Sequence, residues 1–233
     1  MDIQLHYTCV GEGPVLILLH GNGEDSSFFE SQIEEFSQDF CVCAIDTRGH
    51  GLSPRGEAPF SLYQFADDLL DWMDEQEIGE ADILGFSDGA NIAMIFALQH
   101  PERVRRLILN SANINPGGLK RFLSRNIMRD YRLVCQSDDP EAWRQKELLE
   151  LMIREPHIAP AELAKLTMPT LVIAGDLDII KPDHTRLIAR SIPNSRFAII
   201  PGGHDIANRQ PTAFNAVVRT FFEETEASEE EYE

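Results

Sequence analysis

The chain of 233 residues, 43% of them hydrophobic, is long enough to bury a full hydrophobic core. Its net charge of −19 argues against a nucleic acid partner, because phosphate binding requires a basic surface that releases counterions. The longest apolar run, at 15–19, is too short to span a bilayer, and the first ten residues lack a secretory signal pattern. We therefore expect a soluble, cytoplasmic protein with no membrane partner.

Short β-rich apolar runs alternate with longer segments of helical period, which is typical of a mostly parallel sheet with helices on both faces. An amphipathic stretch near 3–10 predicts an edge hairpin that closes at Gly11–Pro14. The predicted fold class is therefore α/β. Six runs are predicted parallel strands: 15–19, 40–45, 81–86, 104–110, 170–175 and 196–200.

Four helices are predicted around these strands. One covers 61–77, where apolar residues recur at helical spacing after a cap at Ser61. A second covers 87–100 and stops before a proline. The last two, 182–192 and 211–222, each begin with proline, which a helix tolerates best in its first turn.

Residues 112–168 contain no strand signal and interrupt the alternation. They are predicted to form helices around 119–134, 141–154 and 161–166, a helical lid inserted into a core of 1–111 and 169–222. The lid has nine basic and eight acidic residues, and five of the basic ones lie in its first helix. We favour electrostatic docking of this cationic lid on the acidic body, and recognition of an anionic substrate is the alternative.

Two further features are assigned structural roles. Residues 223–233 contain seven acidic residues and no basic one, so we expect a disordered, solubilising tail. The cysteines show neither disulfide-scaffold density nor C-x-x-C spacing, and we interpret them as reduced core thiols rather than metal or redox groups. They are Cys9, Cys41, Cys43 and Cys135.

The segment G-F-S-D-G at 85–89 lies between an apolar run and a predicted helix. A serine on a sharp strand-to-helix turn has a strained backbone, and glycines two residues before and after it avoid collisions with neighbouring backbone. The turn raises the Ser87 hydroxyl above the sheet, and the helix directs its N-terminal amides toward a developing oxyanion. Ser87 is therefore the candidate nucleophile.

This segment, together with H-G-N-G at 20–23 and D-T-R-G-H-G at 46–51, resembles the α/β-hydrolase fold family. The resemblance extends over nearly all of the chain except the lid and the tail. It implies that the backbone amides of Asn22 and Asp88 form the oxyanion hole. It also implies that the segment 46–51 is structural, so His50 is left out of the catalytic set.

A serine hydroxyl needs a base to take its proton, and the base needs a carboxylate to orient it. The family order of serine, acid and histidine implies that His204, after the last predicted strand, is the base. The family spacing, three residues after Gly175 and four before Pro182, selects Asp178 as the acid. Asp176 stays an alternative that otherwise bonds locally in the turn.

These residues predict a serine hydrolase that cleaves a small carboxylic ester through an acyl-enzyme, with no metal or organic cofactor. G-x-S-D-G also resembles a subgroup that includes valacyclovir hydrolase-like esterases, where an acid beside the nucleophile meets a substrate amine. Glu24, Asp25 and Asp205 predict an acidic mouth that suits a cationic amino-acid ester. The alternative for Asp88 is that it caps the helix or faces solvent.

Two other functions remain open on the same scaffold. A carbon–carbon bond hydrolase or lyase-type relative would use the same triad on an anionic dicarbonyl acid, with the basic lid helix binding its carboxylate. A hydrolase-like receptor would keep the fold and bind a small ligand without turnover. Epoxide and haloalkane hydrolases are set aside, because they need an aspartate at the position of Ser87.

Overall fold

The structure, a computed structural model, describes residues 2–139 and 141–230. Within these ranges, seven strands form one sheet in the order β1-β3-β2-β4-β5-β6-β7. All neighbours pair in parallel except β1 and β3, which confirms the predicted mostly parallel α/β sheet. The strands are β1 (Tyr7–Val10), β2 (Val15–Leu19), β3 (Cys41–Ile45), β4 (Ala81–Phe86), β5 (Val104–Asn110), β6 (Thr170–Gly175) and β7 (Ser195–Ile200).

Helices cover both faces of the sheet. One apolar layer lies under α2, α3 and α6, and the other lies under α1 and α8. None of the helices in the described ranges has the length and hydropathy needed to cross a bilayer. The helices are α1 (Glu30–Phe36), α2 (Leu62–Glu75), α3 (Asp88–Gln99), α4 (Arg121–Val134), α5 (Ala142–Arg154), α6 (Pro182–Ser191), α7 (Ile206–Arg209) and α8 (Pro211–Glu230).

The predicted edge hairpin is wrong, because β1 does not pair with β2, the strand that follows it in the chain. β1 lies at the edge of the sheet, but it pairs antiparallel with β3, from Tyr7 opposite Ile45 to Val10 opposite Val42. β2 has β3 on one side and β4 on the other, so both of its edges are already hydrogen-bonded. The outer edge of β3 is the position left for β1.

This pairing also corrects the interpretation of the cysteines. Cys9 lies directly opposite Cys43 across the β1–β3 pair, and the two form a disulfide. Cys41 is a half-buried free thiol, and Cys135 is a free thiol exposed on the surface. Four reduced core thiols were therefore the wrong expectation, because the distance between Cys9 and Cys43 depends on the strand order.

The segment between β5 and β6 contains α4, α5 and a 3₁₀ turn at Pro160–Lys165. It contacts the body through an apolar cluster that includes Leu119, Ile127 and Ile180. Within the described residues, one ion pair joins the lid to the body, between Arg55 of the body and Glu147 of the lid. The lid therefore contributes an acidic side chain to this pair, not a basic one. Among the described residues, none of the basic side chains of its first helix forms an ion pair with the body, so the contacts between this helix and the body are mainly apolar and electrostatic docking of the cationic lid stays a prediction.

The predicted disorder of the tail is wrong for 223–230, which continue α8, while 231–233 lie outside the described residues. Thr225 is buried in this extension, and the guanidinium of buried Arg106 contacts its hydroxyl at 3.3 Å. Arg106 also donates two hydrogen bonds to buried Asp82, at 2.9 and 2.7 Å. A buried guanidinium thus holds the acidic end of α8 against the sheet.

We expect Asp82→Ala to lower the free energy of unfolding by about 3–5 kcal/mol, because it removes the buried carboxylate partner of Arg106 and leaves only the 56% exposed Glu226 as an ion-pair partner. The matched control is Asp74→Ala, which removes the 60% exposed partner of Arg103 and should change stability by less than about 1 kcal/mol. Urea unfolding of both variants measures the difference. Equal losses would show that burial does not determine the contribution of these pairs.

Candidate active site

A strained turn joins β4 to α3 and presents Ser87. Ser87 has φ 54° and ψ −117°, a backbone conformation that residues other than glycine rarely adopt. Its backbone N–H donates to the carbonyl of Asn110 at 2.9 Å, and its carbonyl accepts from Asn91 N–H at 3.1 Å. These bonds to β5 and α3 hold the turn in its strained form.

The two glycines of the turn are required by close backbone contacts. A Cβ atom on Gly89 would lie 2.0 Å from the carbonyl oxygen of Leu19, and one on Gly85 would lie 2.3 Å from that of Gly89. Both distances are far below any van der Waals contact. The spacing around the serine in G-F-S-D-G therefore has a direct steric cause.

A continuous hydrogen-bonded chain links the three predicted catalytic side chains. His204 Nε2 lies 2.9 Å from Ser87 Oγ, and His204 Nδ1 lies 2.7 Å from Asp178 Oδ1. An ionised carboxylate only accepts, so Nδ1 carries the proton and Nε2 accepts from the serine hydroxyl. Asp178, rather than Asp176, therefore contacts the histidine.

Asp178 is 3% exposed and has two further donors. The Ser111 hydroxyl donates to Asp178 Oδ2 at 2.6 Å, and the Ile180 N–H donates to Oδ1 at 2.9 Å. Asp176 is exposed and accepts from Gly202 N–H at 2.9 Å, the local turn role expected of it. Sequence reasoning missed Ser111, which follows β5 with φ 59°.

The loop after β2 places Asn22 beside the start of α3. The Asn22 side-chain amide donates to Asp88 Oδ2 at 2.9 Å and to the lid carbonyl of Leu148 at 3.1 Å. Asp88 Oδ1 accepts from Asn91 Nδ2 at 3.3 Å. Both oxygens of this carboxylate therefore accept from side-chain amides, and within the described part of the chain neither accepts from a backbone N–H at the start of the helix. Among the described residues, the backbone N–H groups of Asn22 and Asp88 donate no hydrogen bond.

A cavity of about 320 Å³ opens above Ser87 and His204. The side chain of Phe86 lines it, stacked on Phe28 at 4.4 Å between ring centroids. Phe122 and Trp143 are exposed and do not line it. Among the described residues, no lysine or arginine lines the cavity, and four carboxylates do: Glu24, Asp88, Glu155 and Asp205.

Burial raises the pKa of Glu24, Asp88 and Glu155 above the ordinary carboxyl values. The negative charge of Asp88 further raises the pKa of Glu155, whose Oε2 accepts from Leu62 N–H at 2.7 Å. Glu155 ends the second lid helix, and nothing in the sequence pattern indicated that it lines the cavity. Asp25, expected at the mouth, instead accepts from Ser27 N–H at 2.9 Å and does not line the cavity.

Comparison with known proteins agrees with this geometry. The α/β hydrolase fold family model matches residues 14–134, more than half of the chain. The chain belongs to the α/β-hydrolase fold family. Like its family, it has the mostly parallel sheet that brings the ends of β4, β6 and β7 to one side.

Three similar proteins illustrate the range of relatives. An uncharacterised protein of Mycobacterium tuberculosis is 30% identical over 92% of this chain and 54% of its own, so the chain spans about half of that relative. A pimeloyl-[acyl-carrier protein] methyl ester esterase of Vibrio parahaemolyticus is 27% identical, over 95% and 99%. A malate-bound thermophilic esterase from Thermogutta terrifontis is 25% identical over 95% and 94%, with a TM-score of 0.81.

Two buried histidines, His20 and His50, lie at the loop after β2 in this α/β-hydrolase. His20 Nε2 accepts from Thr47 N–H at 3.0 Å, so its protonated Nδ1 donates to the carbonyl of Gly21 at 2.8 Å. Burial lowers the pKa of His20. Burial, followed by the charge of His20, lowers the pKa of His50 to about 4. His50 lies outside the cavity, as its structural assignment implied.

We expect stability to fall as the pH drops from about 6.5 to 4, since unfolded His50 then binds a proton that folded His50 does not. The contribution is roughly 2 kcal/mol between pH 7 and 5. In His50→Asn, which keeps a donor near the Nδ1 position, this pH-dependent loss should shrink by that amount. Urea unfolding at both pH values measures it, and an unchanged loss would contradict the assignment.

Proposed function

We propose that the chain is a serine hydrolase that cleaves small carboxylic esters, preferably α-amino-acid esters, through an acyl-enzyme on Ser87. The observation that carries the proposal is the hydrogen-bonded chain from the Ser87 hydroxyl through His204 to buried Asp178. Such a chain lets a neutral serine lose its proton as it attacks a carbonyl carbon. The family membership and the esterases among the relatives support an ester as the bond cleaved.

The reaction follows from the atoms in place. His204 Nε2 takes the hydroxyl proton while Ser87 Oγ attacks the ester carbonyl, and the new oxyanion accepts from the free amides of Asn22 and Asp88. His204 then gives the proton to the leaving alcohol as the carbon–oxygen bond breaks. Water, deprotonated by the same nitrogen, attacks the acyl-enzyme, releases the acid and restores Ser87.

Asp178 has the task of keeping His204 in one tautomer and balancing the charge of the imidazolium. Its own orientation is fixed by donors on both oxygens, the Ser111 hydroxyl on Oδ2 and the Ile180 N–H on Oδ1. Because Ser111 directly follows β5 and the aspartate lies in the loop after β6, the carboxylate is held from the ends of two strands. This arrangement supports Asp178 as the acid.

The charge of the cavity supports an amine on the acyl part of the substrate. Asp88 and Glu155 line it with raised pKa values, which means that burial penalises their charged forms. A substrate ammonium placed between them would offset that penalty and favour ionisation of both. Asp88 directly follows the nucleophile, so a group near the acyl carbonyl lies within its reach.

The anionic dicarbonyl substrate is disfavoured by the same cavity. A carboxylate there would face four acidic side chains and no lysine or arginine among the lining residues. The arginines of the first lid helix do not change this, because they point outward. Those side chains are exposed: Arg121, Arg125, Arg129 and Arg132.

We expect Ser87→Ala to abolish labelling by a fluorophosphonate probe and to reduce ester turnover at least ~10³-fold. The exposed Ser137→Ala should keep both. The substrates are p-nitrophenyl acyl esters and amino-acid esters. Labelling of the wild type without turnover, combined with tight ligand binding, would favour the receptor function, and absence of both would refute the triad.

We expect Asp88→Asn, which keeps an acceptor for Asn22, to reduce kcat/KM on an α-amino ester about 30-fold or more. On the des-amino analogue the loss should stay below about 3-fold, because no ammonium is present to lose its partner. Asp183→Asn, on a fully exposed side chain of α6 that does not line the cavity, removes the same charge and should affect neither substrate. Equal losses on both esters would exclude amine recognition by Asp88.

A further inference from the structure

Three cysteines converge at the β1 edge of the sheet, away from the hydrolytic site. Cys9 lies opposite Cys43, and Cys41 lies two residues earlier on β3, so all three side chains are on one face. Their sulfur atoms lie within 4.8 Å of one another. Cys9 is exposed, Cys41 half-buried and Cys43 buried, so the cluster extends from the core to the surface.

We propose that, once the Cys9–Cys43 disulfide is reduced, these three cysteines bind one zinc-type d¹⁰ metal ion. Thiolate sulfur is the ligand that such soft ions prefer. Zinc–sulfur bonds of about 2.3 Å in tetrahedral geometry place neighbouring sulfurs about 3.8 Å apart. Breaking the disulfide lets Cys9 and Cys43 separate to that distance, and Cys41, whose sulfur lies within 4.8 Å of both, needs to approach by at most about 1 Å.

The chemistry balances in two steps. A dithiol gives two electrons and two protons to the Cys9–Cys43 disulfide, which becomes two thiols while the dithiol becomes a disulfide. The metal ion then replaces the thiol protons of Cys9, Cys41 and Cys43, so three protons are released and three metal–sulfur bonds form. Because Cys9 is exposed, water reaches the fourth coordination position.

The site would keep the edge strand attached. Within the described residues, β3 is the one strand to which β1 is hydrogen-bonded. In an oxidising environment the Cys9–Cys43 disulfide joins the two strands covalently. Under reducing conditions that link is lost, and a metal ion held by one cysteine of β1 and two of β3 would replace it.

The site is independent of hydrolysis. Cys41 is the first residue of β3, whereas the catalytic side chains follow the carboxyl ends of β4, β6 and β7. In a parallel sheet, the amino ends of the strands lie at one end of the sheet and the carboxyl ends lie at the other. Loss of the metal should therefore leave labelling of Ser87 unchanged, and failure of one proposal does not imply failure of the other.

The experiment titrates Cd²⁺ or Zn²⁺ into reduced and oxidised protein under anaerobic conditions. We expect one ion per reduced chain, a sulfur-to-cadmium charge-transfer band, and at least ~100-fold weaker binding to Cys41→Ser. Cys135→Ser, which removes the exposed thiol outside the cluster, should bind as tightly as the wild type. Equal binding by Cys41→Ser or by the oxidised protein would overturn the proposal.

A second measurement uses the wild-type chain alone, in case a variant folds poorly. Iodoacetamide is added to reduced protein with and without Zn²⁺, and mass spectrometry locates the alkylated cysteines. We expect Zn²⁺ to slow alkylation of Cys9 and Cys41 and to leave Cys135 unchanged. Equal rates with and without the ion at Cys9 and Cys41 would overturn the proposal.

Discussion

The close approach of α3 to the end of β2 is the constraint on which the site depends. At Gly89 the helix lies so near the Leu19 carbonyl that no side chain fits between them. Leu19 is also in register with Gly85 on β4, so the turn at Ser87 and the loop after β2 start side by side. Because these two strands are neighbours, Asn22 and Asp88 line the same cavity and their side chains are hydrogen-bonded to each other.

The order of the remaining strands brings the other groups to the same place. Beyond β4 the sheet continues through β5, β6 and β7, which are followed by Ser111, Asp178 and His204. Three consecutive parallel strands thus supply a hydroxyl, a carboxylate and an imidazole at one edge. Local turns adjust the contacts, but the sheet determines which side chains can meet.

The sequence predicted those parts that depend on local pattern. Apolar runs located the strands, and G-F-S-D-G with the spacing of the family predicted Ser87, Asp178 and His204, which the structure joins in one hydrogen-bonded chain. It did not predict Ser111 or Glu155, because their contacts depend on the neighbour of β5 and on how the lid packs. The disulfide partner of Cys9 and the ordered end of α8 were missed for the same reason, since both follow from contacts distant in sequence.

The lid shows why net charge is a poor guide to the charge of a binding cavity. Its first helix carries arginines at 121, 125, 129 and 132, a spacing that places them on one exposed face opposite buried Ile127. Among the described residues, the charged lid side chain that lines the cavity is the carboxylate of Glu155. Because water screens exposed charges strongly and buried charges much less, Glu155 and Asp88 contribute more to the field in the cavity than the arginines on the solvent side.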